Sequence, residues 1–539
     1  MPVRVPEHRP PNTEHPPSGF AEGALRKWEV ALLAALIVVG AWFRLSGLKE
    51  QGIRMVDEGT YCQFGMAMLR GERDVVFYKP GHAALVCLSF KLLGPAPSSP
   101  LIVSAWLGIL TVPAMFLLAR AMFDTVAGLV AAAVVSTMPF LLYYNRSALA
   151  DGNYVFLDVL GLWLLWLAWS RERLIAALVL GVTSGAAFGL GFSMKPLAAL
   201  VPAVAALGLG LWAPLKRARG ARLGLLLAVV LVGALIANGL VELWLGKALN
   251  REASRAIMTR YGERALILSP NVRWVDFLVQ FTGTPVWFLV AAGFNWARHA
   301  RSQAHYLAIA LLAGLAAIFA AVDFALPRMY VSLVVPATLL AGAGGSWMLA
   351  WAQGKLPERG RTVWTAASLV CLCALLVAWH GWQARDVLSL RSGYEPACRI
   401  LAADGLTKGL TTHSWWTFQA FTGRRFTYMS DALAGLLAHP DWQTRLARNF
   451  RAMDEQGFSH LVIDYLFWNR ADGLVTDRFR EVLKLHAPAF VVPNPVAGHA
   501  QTVAEDGGLG HIQNEPLARS IYIFRISELA RVADERKGT

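Results

Sequence analysis

The sequence is organised as a succession of long apolar segments with short polar connections between them. Each segment has about the 17 to 25 residues that a helix needs to cross the hydrocarbon core of a bilayer. Composition agrees, because 56% of the 539 residues are hydrophobic and only 16% are charged, which is more apolar material than a soluble chain covers with polar surface. We therefore predict a mainly α-helical, polytopic membrane protein with about eleven transmembrane helices. They are expected near Trp28–Leu45, Leu101–Arg120, Val126–Tyr144, Val155–Trp169, Leu174–Phe192, Leu197–Trp212, Leu223–Leu245, Phe277–Trp296, Tyr306–Val322, Met329–Trp351 and Val363–Trp382.

One apolar segment, KPGHAALVCLSFKLLG at 79–94, is short for a span and carries Lys91. We predict that its helix, residues 80–93, lies in the membrane interface. With a cytoplasmic N-terminus, the basic clusters between later spans then fall on the cytoplasmic side, as the positive-inside rule expects. These clusters are RER at 171–173, KRARGAR at 216–222, RHAR at 298–301 and GKLPERGR at 354–361. The net charge of +14 thus reflects helix orientation and does not indicate a nucleic-acid partner.

The last part of the chain, residues 384–539, changes character, because short apolar runs of strand length alternate there with helix-like segments. This alternation predicts a small extracytoplasmic α/β domain with a mainly parallel sheet. Its paired Trp415 and Trp416 either stack on a sugar or anchor the domain at the membrane interface. The organisation is therefore a cytoplasmic tail at 1–27, a transmembrane domain at 28–383 with its first outer loop at 48–100, and the C-terminal domain at 384–539.

Ionisable residues gather at the predicted outer margin of the membrane, on several different loops. A single charge there is often explained by lipid headgroups or by helix capping, but acids and bases that recur together on separate loops favour a functional site. The set comprises Asp57, Glu58, Lys79, Arg146, Asp151, Lys195 and Arg328. Asp158 lies seven residues after Asp151, on the same helical face and two turns deeper, where an unpaired carboxylate is costly. A buried partner or a wet cavity is therefore predicted around it.

Six motifs in this order and spacing resemble the GT-C membrane glycosyltransferases, especially the protein O-mannosyltransferases and the bacterial lipid A aminoarabinose transferases. They are DEGTY at 57–61, YKPGH at 78–82, LARAMF at 118–123, NRSALADG at 145–152, SMKP at 193–196 and PRMYVSLVVPATLLAGA at 327–343. The resemblance covers the membrane core and does not extend to the C-terminal domain. It implies an inverting transferase in a bacterial inner membrane, with a polyprenyl-phosphate sugar donor and an extracytoplasmic acceptor that is protein, lipid or polysaccharide.

The resemblance also implies roles for individual residues. Asp57 matches the catalytic aspartate of the family and is expected to act as the general base, with Glu58 and Asp151 orienting acceptor or sugar. Lys79 matches the lysine of the family's KPP motif and is expected to bind the donor phosphate. Further phosphate contacts are expected from Lys195, Arg328 and Tyr330, and orienting roles from Arg146, Asp158 and Tyr61. No metal is required for this chemistry, although a divalent cation at the carboxylates stays open.

Two motifs depart from the relatives. The aminoarabinose transferases have an arginine in DEARY where this chain has Thr60, and KPPL is replaced here by KPGH, with Gly81 and His82. The identity of the sugar is therefore left open. His82 is left out of the catalytic set, because a lone histidine beside a lysine is more often a loop residue.

Two other functional classes remain as alternatives. A transporter for a charged solute also places charges near spans, but it favours paired broken helices and charges near the midplane. A membrane-anchored binding or sensing protein would instead place its chemistry in residues 384–539. This alternative predicts that the isolated C-terminal domain binds the ligand.

Overall fold

The computed structural model describes residues 25–72, 79–212, 220–245, 293, 302–321, 327–354, 361–464, 467–468, 473–495 and 516–535. Within these residues, eight helices are long and apolar enough to cross a membrane, and one bent pair adds a ninth if it forms a single span. The prediction of a mainly α-helical membrane part is thereby confirmed. Its helices are α1 (Lys27–Leu45), α2 (Leu48–Gln51), α3 (Val56–Leu69), α4 (Pro80–Leu93), α5 (Ser98–Met122), α6 (Thr125–Thr137), α7 (Pro139–Asn145), α8 (Ala150–Ser170), α9 (Leu174–Met194), α10 (Leu200–Trp212), α11 (Gly220–Leu245), α12 (Gln303–Ala321), α13 (Val334–Gln353) and α14 (Arg361–Ser389), with 3-10 turns at Pro196–Ala199 and Pro327–Leu333.

The predicted spans coincide with helices wherever the structure describes them. The span expected at Phe277–Trp296 lies, apart from Gly293, outside the described residues. The one expected at Leu197–Trp212 forms a shorter apolar helix together with its 3-10 turn. The number of eleven therefore stays a prediction. The segment expected at the membrane interface is the 14-residue helix α4, which is too short to cross a bilayer as a straight helix.

A bend of 59° separates α6 from α7, at Pro139, the first residue of α7. Proline fits that position because it lacks an N–H group and its φ is already helical. The carbonyls left without partners at the end of α6 accept hydrogen bonds from the buried side chain of Arg44, at 2.7 Å for Ser136 and 3.0 Å for Val135. The bend ends α7 inside the protein, so that the chain enters α8 from a buried connection.

Helices α9 and α11 pack with their backbones in direct contact. A Cβ added to Gly185 would lie 2.0 Å from the carbonyl oxygen of Val230, and one on Gly233 would lie 2.3 Å from that of Val182. Small residues are what allow such close approach between membrane helices. The contact fixes α9, whose C-terminal end carries Lys195.

The C-terminal part contains a five-stranded sheet in the order β2-β1-β3-β5-β4. Its elements are α15 (Tyr394–Ala403), β1 (Gly409–Thr411), α16 (Trp415–Thr422), β2 (Phe426–Tyr428), α17 (Ser430–Ala438), α18 (Trp442–Glu455), β3 (His460–Ile463), α19 (Gly473–Leu485), β4 (Phe490–Pro493), β5 (Ser520–Arg525) and α20 (Ile526–Glu535), with a 3-10 turn at Pro516–Arg519. Strand β1 pairs in parallel with β2 and β3, whereas β5 is antiparallel to β3 and β4. The expectation of a mainly parallel sheet is thus wrong for the second half, because β5 runs opposite to β3.

The C-terminal part has its own hydrophobic core, in which Phe450, Trp468 and Phe479 are buried. It is also tied to the membrane part. The Ser392 N–H group donates to the carbonyl of Gln51 at 2.9 Å, and α16 lies directly on α3, where a Cβ on Gly59 would come within 1.8 Å of the Thr417 hydroxyl. Glycine at this position therefore sets how closely the sheet domain approaches α3.

Candidate functional site

Five charged residues from separate parts of the sequence meet at one cluster of helix ends. Asp57 lies in the first turn of α3 and Asp151 in the first turn of α8, where the helix dipole favours a carboxylate. Lys195 follows the last residue of α9, Lys79 directly precedes α4, and Arg328 lies in the 3-10 turn before α13. The five side chains interact electrostatically around Lys79. Five of the seven ionisable residues predicted from the sequence therefore meet here, whereas Glu58 and Arg146 have other partners.

Two ion pairs divide the cluster into a reachable half and a buried half. The Arg328 guanidinium lies 2.8 Å from Asp57 Oδ2, and the Asp57 side chain is 34% exposed. The Lys195 ammonium bonds the Asp151 carboxylate, and their side chains are only 3% and 1% exposed. Asp57 is therefore the carboxylate that an incoming molecule reaches.

Lys79 gives the cluster its surplus positive charge. Its ammonium donates to the Tyr61 hydroxyl and lies 4.9 Å from the centre of the Tyr61 ring. Burial lowers the pKa of Lys79 to about 7, and nearby Lys195 and Arg328 lower it, while Asp151 and Asp57 raise it. When Lys79 is protonated, three cations face two carboxylates, and the cluster carries a net charge of one positive unit. Such a site attracts an anion.

Glu58, although adjacent to Asp57 in sequence, is buried and has different partners. It lies 3.6 Å from the buried guanidinium of Arg54 and accepts hydrogen bonds from the backbones of Arg54 and Ala148. Burial raises the pKa of the Glu58 carboxyl to about 7, although Arg54 and the backbone hydrogen bonds lower it. Glu58 thus joins α3 to the connection that precedes α8.

His82 holds the same connection from the other side. Its Nε2 lies 2.8 Å from the carbonyl oxygen of Ala148, and its ring meets that of Tyr61 edge-on at 4.6 Å. Burial lowers the pKa of His82 to about 4, so the ring is neutral near pH 7 and donates through Nε2 to the carbonyl. The sequence prediction did not include His82 among the catalytic residues. The signal at this position was the difference between KPGH here and KPPL in the relatives.

Gly81, the other departure, permits a close helix contact beside the cluster. A Cβ on Gly81 would lie 2.1 Å from the Ser193 hydroxyl and 2.9 Å from its backbone carbonyl carbon. The absence of a side chain therefore lets α4 approach the end of α9, which brings Lys79 near Lys195.

Arg146 is buried away from the charge cluster, at the C-terminal end of α1. Its Nη1 donates to the carbonyls of Phe43 and Ser46 at 2.8 Å, and its Nε donates to Gln51 at 2.9 Å. These bonds satisfy carbonyls that the helix end leaves open. The buried arginines Arg44 and Arg54 also donate to backbone carbonyls, and the sequence prediction did not include them. A charge near the end of an apolar run, as in WFRLSG, is a signal for such a role.

Asp158 and Tyr330 are both buried. Both carboxylate oxygens of Asp158 are buried without a hydrogen-bond partner among the described residues, so the partner expected from the sequence is not found there. Tyr330 is two residues from Arg328 and is buried, with its ring 5.1 Å from Phe319.

The described residues contain no group of three His, Cys, Asp or Glu side chains that could hold a metal ion. The three carboxylates named from the sequence each face a cation instead: Asp57 pairs with Arg328, Glu58 with Arg54 and Asp151 with Lys195. A divalent cation at these carboxylates would have to displace these side-chain cations.

Comparison with known proteins identifies the fold. A family model described as dolichyl-phosphate-mannose-protein mannosyltransferase matches residues 79–240, while no curated protein sequence matches the chain significantly. The structure resembles ArnT from Cupriavidus metallidurans bound to undecaprenyl phosphate, with a TM-score of 0.60 and 15% identity over 82% of this chain and 94% of that one. It also resembles the archaeal oligosaccharyltransferase AglB from Archaeoglobus fulgidus in complex with an inhibitory peptide and a dolichol-phosphate, with a TM-score of 0.55 and 11% identity over 89% and 77% of the two chains.

Proposed function

We propose that this chain, which has the GT-C fold of membrane glycosyltransferases, is an inverting transferase. In this proposal it moves a sugar from a polyprenyl-phosphate donor to an extracytoplasmic acceptor that is a protein, a lipid or a polysaccharide. The observation that carries the proposal is the position of Asp57, a reachable carboxylate in a cluster with three cations. This combination provides a base for the acceptor and a binding site for the phosphate of the donor.

The reaction follows from these two elements. Asp57 accepts the proton of an acceptor hydroxyl, and the hydroxyl oxygen attacks the anomeric carbon on the face opposite the phosphate. The bond between that carbon and the phosphate oxygen breaks, and the lipid phosphate leaves with the electron pair. Arg328, 2.8 Å from Asp57, fixes the direction of the carboxylate. The growing charge on the phosphate is stabilised by cations already in place.

The remaining residues take supporting roles in this proposal. Lys79 contacts the phosphate, with Lys195, Arg328 and Tyr330 beside it, and Tyr61 fixes the lysine through its hydroxyl. Asp151 is buried in its ion pair with Lys195, so in this proposal it holds that lysine in place and does not itself make the contact with acceptor or sugar expected from the sequence. Glu58, Arg146 and Asp158 act by positioning: the first two join helices through buried bonds, and Asp158 lies deeper in α8. No metal is needed, because each carboxylate already faces a cation.

Two alternatives are less well supported. A transporter is disfavoured because the charges meet at the ends of α3, α4, α8 and α9 and not along the middle of spans. A sensing protein that relies on its C-terminal domain gives no reason for the charge cluster in the membrane part. The bacterial inner membrane and the extracytoplasmic position of the site and of the C-terminal domain belong to the proposal.

The test compares lipids, glycans and surface proteins from cells that carry the wild type, Asp57→Asn or no protein, by mass spectrometry. Glu50→Gln is the matched control, because Glu50 is an exposed carboxylate on α2. We expect the modified acceptor with the wild type and the control, and unreacted donor lipid with Asp57→Asn. Full turnover by a folded Asp57→Asn protein would exclude Asp57 as the base.

A further inference from the structure

A cavity of about 680 Å³ opens where the C-terminal domain meets the membrane part. One wall is formed by α3 and the residues that follow it, and the other by α16 and the segment through β2. The side chains that matter here are Gln63 and Arg70 on the first wall and Trp415, Trp416, Arg424 and Arg425 on the second. The cavity is separate from the charge cluster but shares helix α3 with it.

The aromatic part of the lining is a stacked tryptophan pair. The rings of Trp415 and Trp416 lie 3.7 Å apart with 29° between their planes, and Trp416 also contacts Phe64 of α3 at 6.2 Å. The pair therefore faces the seam between the two parts of the protein. Both indoles remain partly exposed, and a flat, partly open indole suits the apolar face of a sugar ring.

The charged part of the lining is strongly basic. Arg424 and Arg425 are exposed on one wall, and Arg70 is exposed on the other. Arg70 reaches across the cavity, with its Nη2 4.0 Å from the place of a Cβ on Gly423. Glu72 is the acid among the described lining residues and lies 3.6 Å from Arg70. Two positive charges remain in surplus, and arginine binds carboxylate and phosphate groups through its planar fork.

Gln63 lies at the base of the cavity. The residue is 5% exposed, and its Oε1 accepts no hydrogen bond within the described part of the chain. A buried acceptor without a donor is unfavourable, but this atom has no surface open to the cavity, so Gln63 borders the cavity without binding a ligand through Oε1. Gly59, one turn earlier on the same face of α3, closes against Thr417. The first cavity-lining residue of α3, Gln63, lies six residues after Asp57, which is about one and two-thirds helical turns.

We propose that this cavity binds the acceptor, and that the acceptor is an acidic glycan, a saccharide chain with carboxylate or phosphate groups. Sugar faces stack on Trp415 and Trp416, and the anionic groups bind Arg424 and Arg425. The inference rests on the proposed function, because it assigns an acceptor class to the same active site.

The experiment uses the purified full-length protein in neutral detergent and measures saccharide binding by calorimetry. The probes are tetragalacturonate, which is acidic, and maltotetraose, which is neutral and of the same length. We expect tetragalacturonate to bind at least about tenfold more tightly, and the double variant Arg424→Ala, Arg425→Ala to lose about tenfold in affinity. The charge-matched control, Arg445→Ala with Arg448→Ala on the exposed face of α18, leaves binding unchanged. Trp416→Ala weakens binding, and Trp416→Phe retains it because an aromatic face remains.

Equal binding of the two saccharides, or binding that the Arg424 and Arg425 changes leave intact, overturns the proposal. So does arginine-dependent binding to phosphatidylglycerol vesicles without saccharide binding, which assigns the surface to lipid headgroups. Binding of polyprenyl methyl phosphate is measured on the same preparations. The arginine variants are expected to bind this phosphodiester normally, whereas a wild-type protein that fails to bind it contradicts the proposed function and leaves the saccharide result standing.

Discussion

The guanidinium of Arg328 lies 2.8 Å from Asp57 Oδ2, although the two residues are far apart in the sequence. The contact joins the 3-10 turn at Pro327–Leu333 to the first turn of α3. It holds the reachable carboxylate of the cluster in one direction. Because a base must point at the proton that it removes, this relationship is the one on which the proposed reaction most depends.

Arg328→Ala is expected to lower kcat by about a hundredfold, since general base catalysis contributes about 10² to 10⁴ and a misdirected carboxylate loses much of it. Arg328→Lys should retain more activity, because a cation remains beside Asp57. Turnover of a polyprenyl-phosphate sugar checks this expectation, with Arg385→Ala, an exposed arginine on α14, as the control. Equal rates for the alanine variant and the control would contradict it.

Binding of the donor phosphate is expected to weaken as the pH rises above the pKa of Lys79, which is about 7. An anionic phosphate binds the ammonium form, so loss of that proton lowers affinity by about tenfold between pH 6 and pH 8. A phosphodiester such as polyprenyl methyl phosphate keeps its single charge over this range, so the pH dependence of its binding, measured by calorimetry, comes from the protein and not from the ligand. Lys79→Arg should remove the pH dependence because arginine stays charged. The same slope in that variant would assign the titration to another group.

The stability of the protein is expected to fall as the pH rises from about 4.5 to about 7 through Glu58. The folded state keeps the Glu58 proton up to about 7, whereas the unfolded chain releases it near 4.5, so the stabilising contribution is present at low pH and is lost across this window. Apparent Tm in detergent measures it. Glu58→Gln should give a flatter profile, and an unchanged slope would show that other groups dominate.

Gly81→Ala is expected to destabilise the protein by about 1 to 3 kcal/mol, as overpacking does, because the added Cβ meets Ser193 at 2.1 Å. Donor turnover should fall as well, since the contact brings Lys79 near Lys195. Gly239→Ala is the matched control, because nothing lies within 4 Å of a Cβ at that position of α11. Ser193→Gly in combination removes the hydroxyl and should restore part of the lost stability. If stability does not recover, the contact with the Ser193 backbone, and not the one with its hydroxyl, causes the loss.

Turnover is expected to persist after treatment with EDTA, since Asp57, Glu58 and Asp151 each face a cation. Addition of Mg²⁺ or Mn²⁺ to the chelated protein should then change the rate little. Complete loss with EDTA and full recovery with one of these metals would show that a divalent cation takes part.

The sequence indicated the five members of the charge cluster because acids and bases recur together at the predicted outer margin of the membrane. It also placed Glu58 and Arg146 in that set, and these have other partners. It also predicted that α4 is too short to span the membrane. It did not reveal that Arg44 and Arg146 satisfy carbonyls of other helices, because those partners are about 100 positions away in the chain. The reversed direction of β5 was missed for the same reason: strand length and alternation are local, whereas strand direction depends on the path of the chain.

Ala148 contributes to the site through its main chain alone. Its backbone bonds the Glu58 carboxylate, and its carbonyl accepts from His82 at 2.8 Å, while its methyl group performs none of this work. This buried position therefore needs a backbone N–H group and a small side chain. Alanine, glycine and serine provide both, and proline does not. Position 148 carries no reactive side chain that would mark it in a sequence comparison. Its backbone nevertheless fixes where α8, and with it Asp151, enters the site.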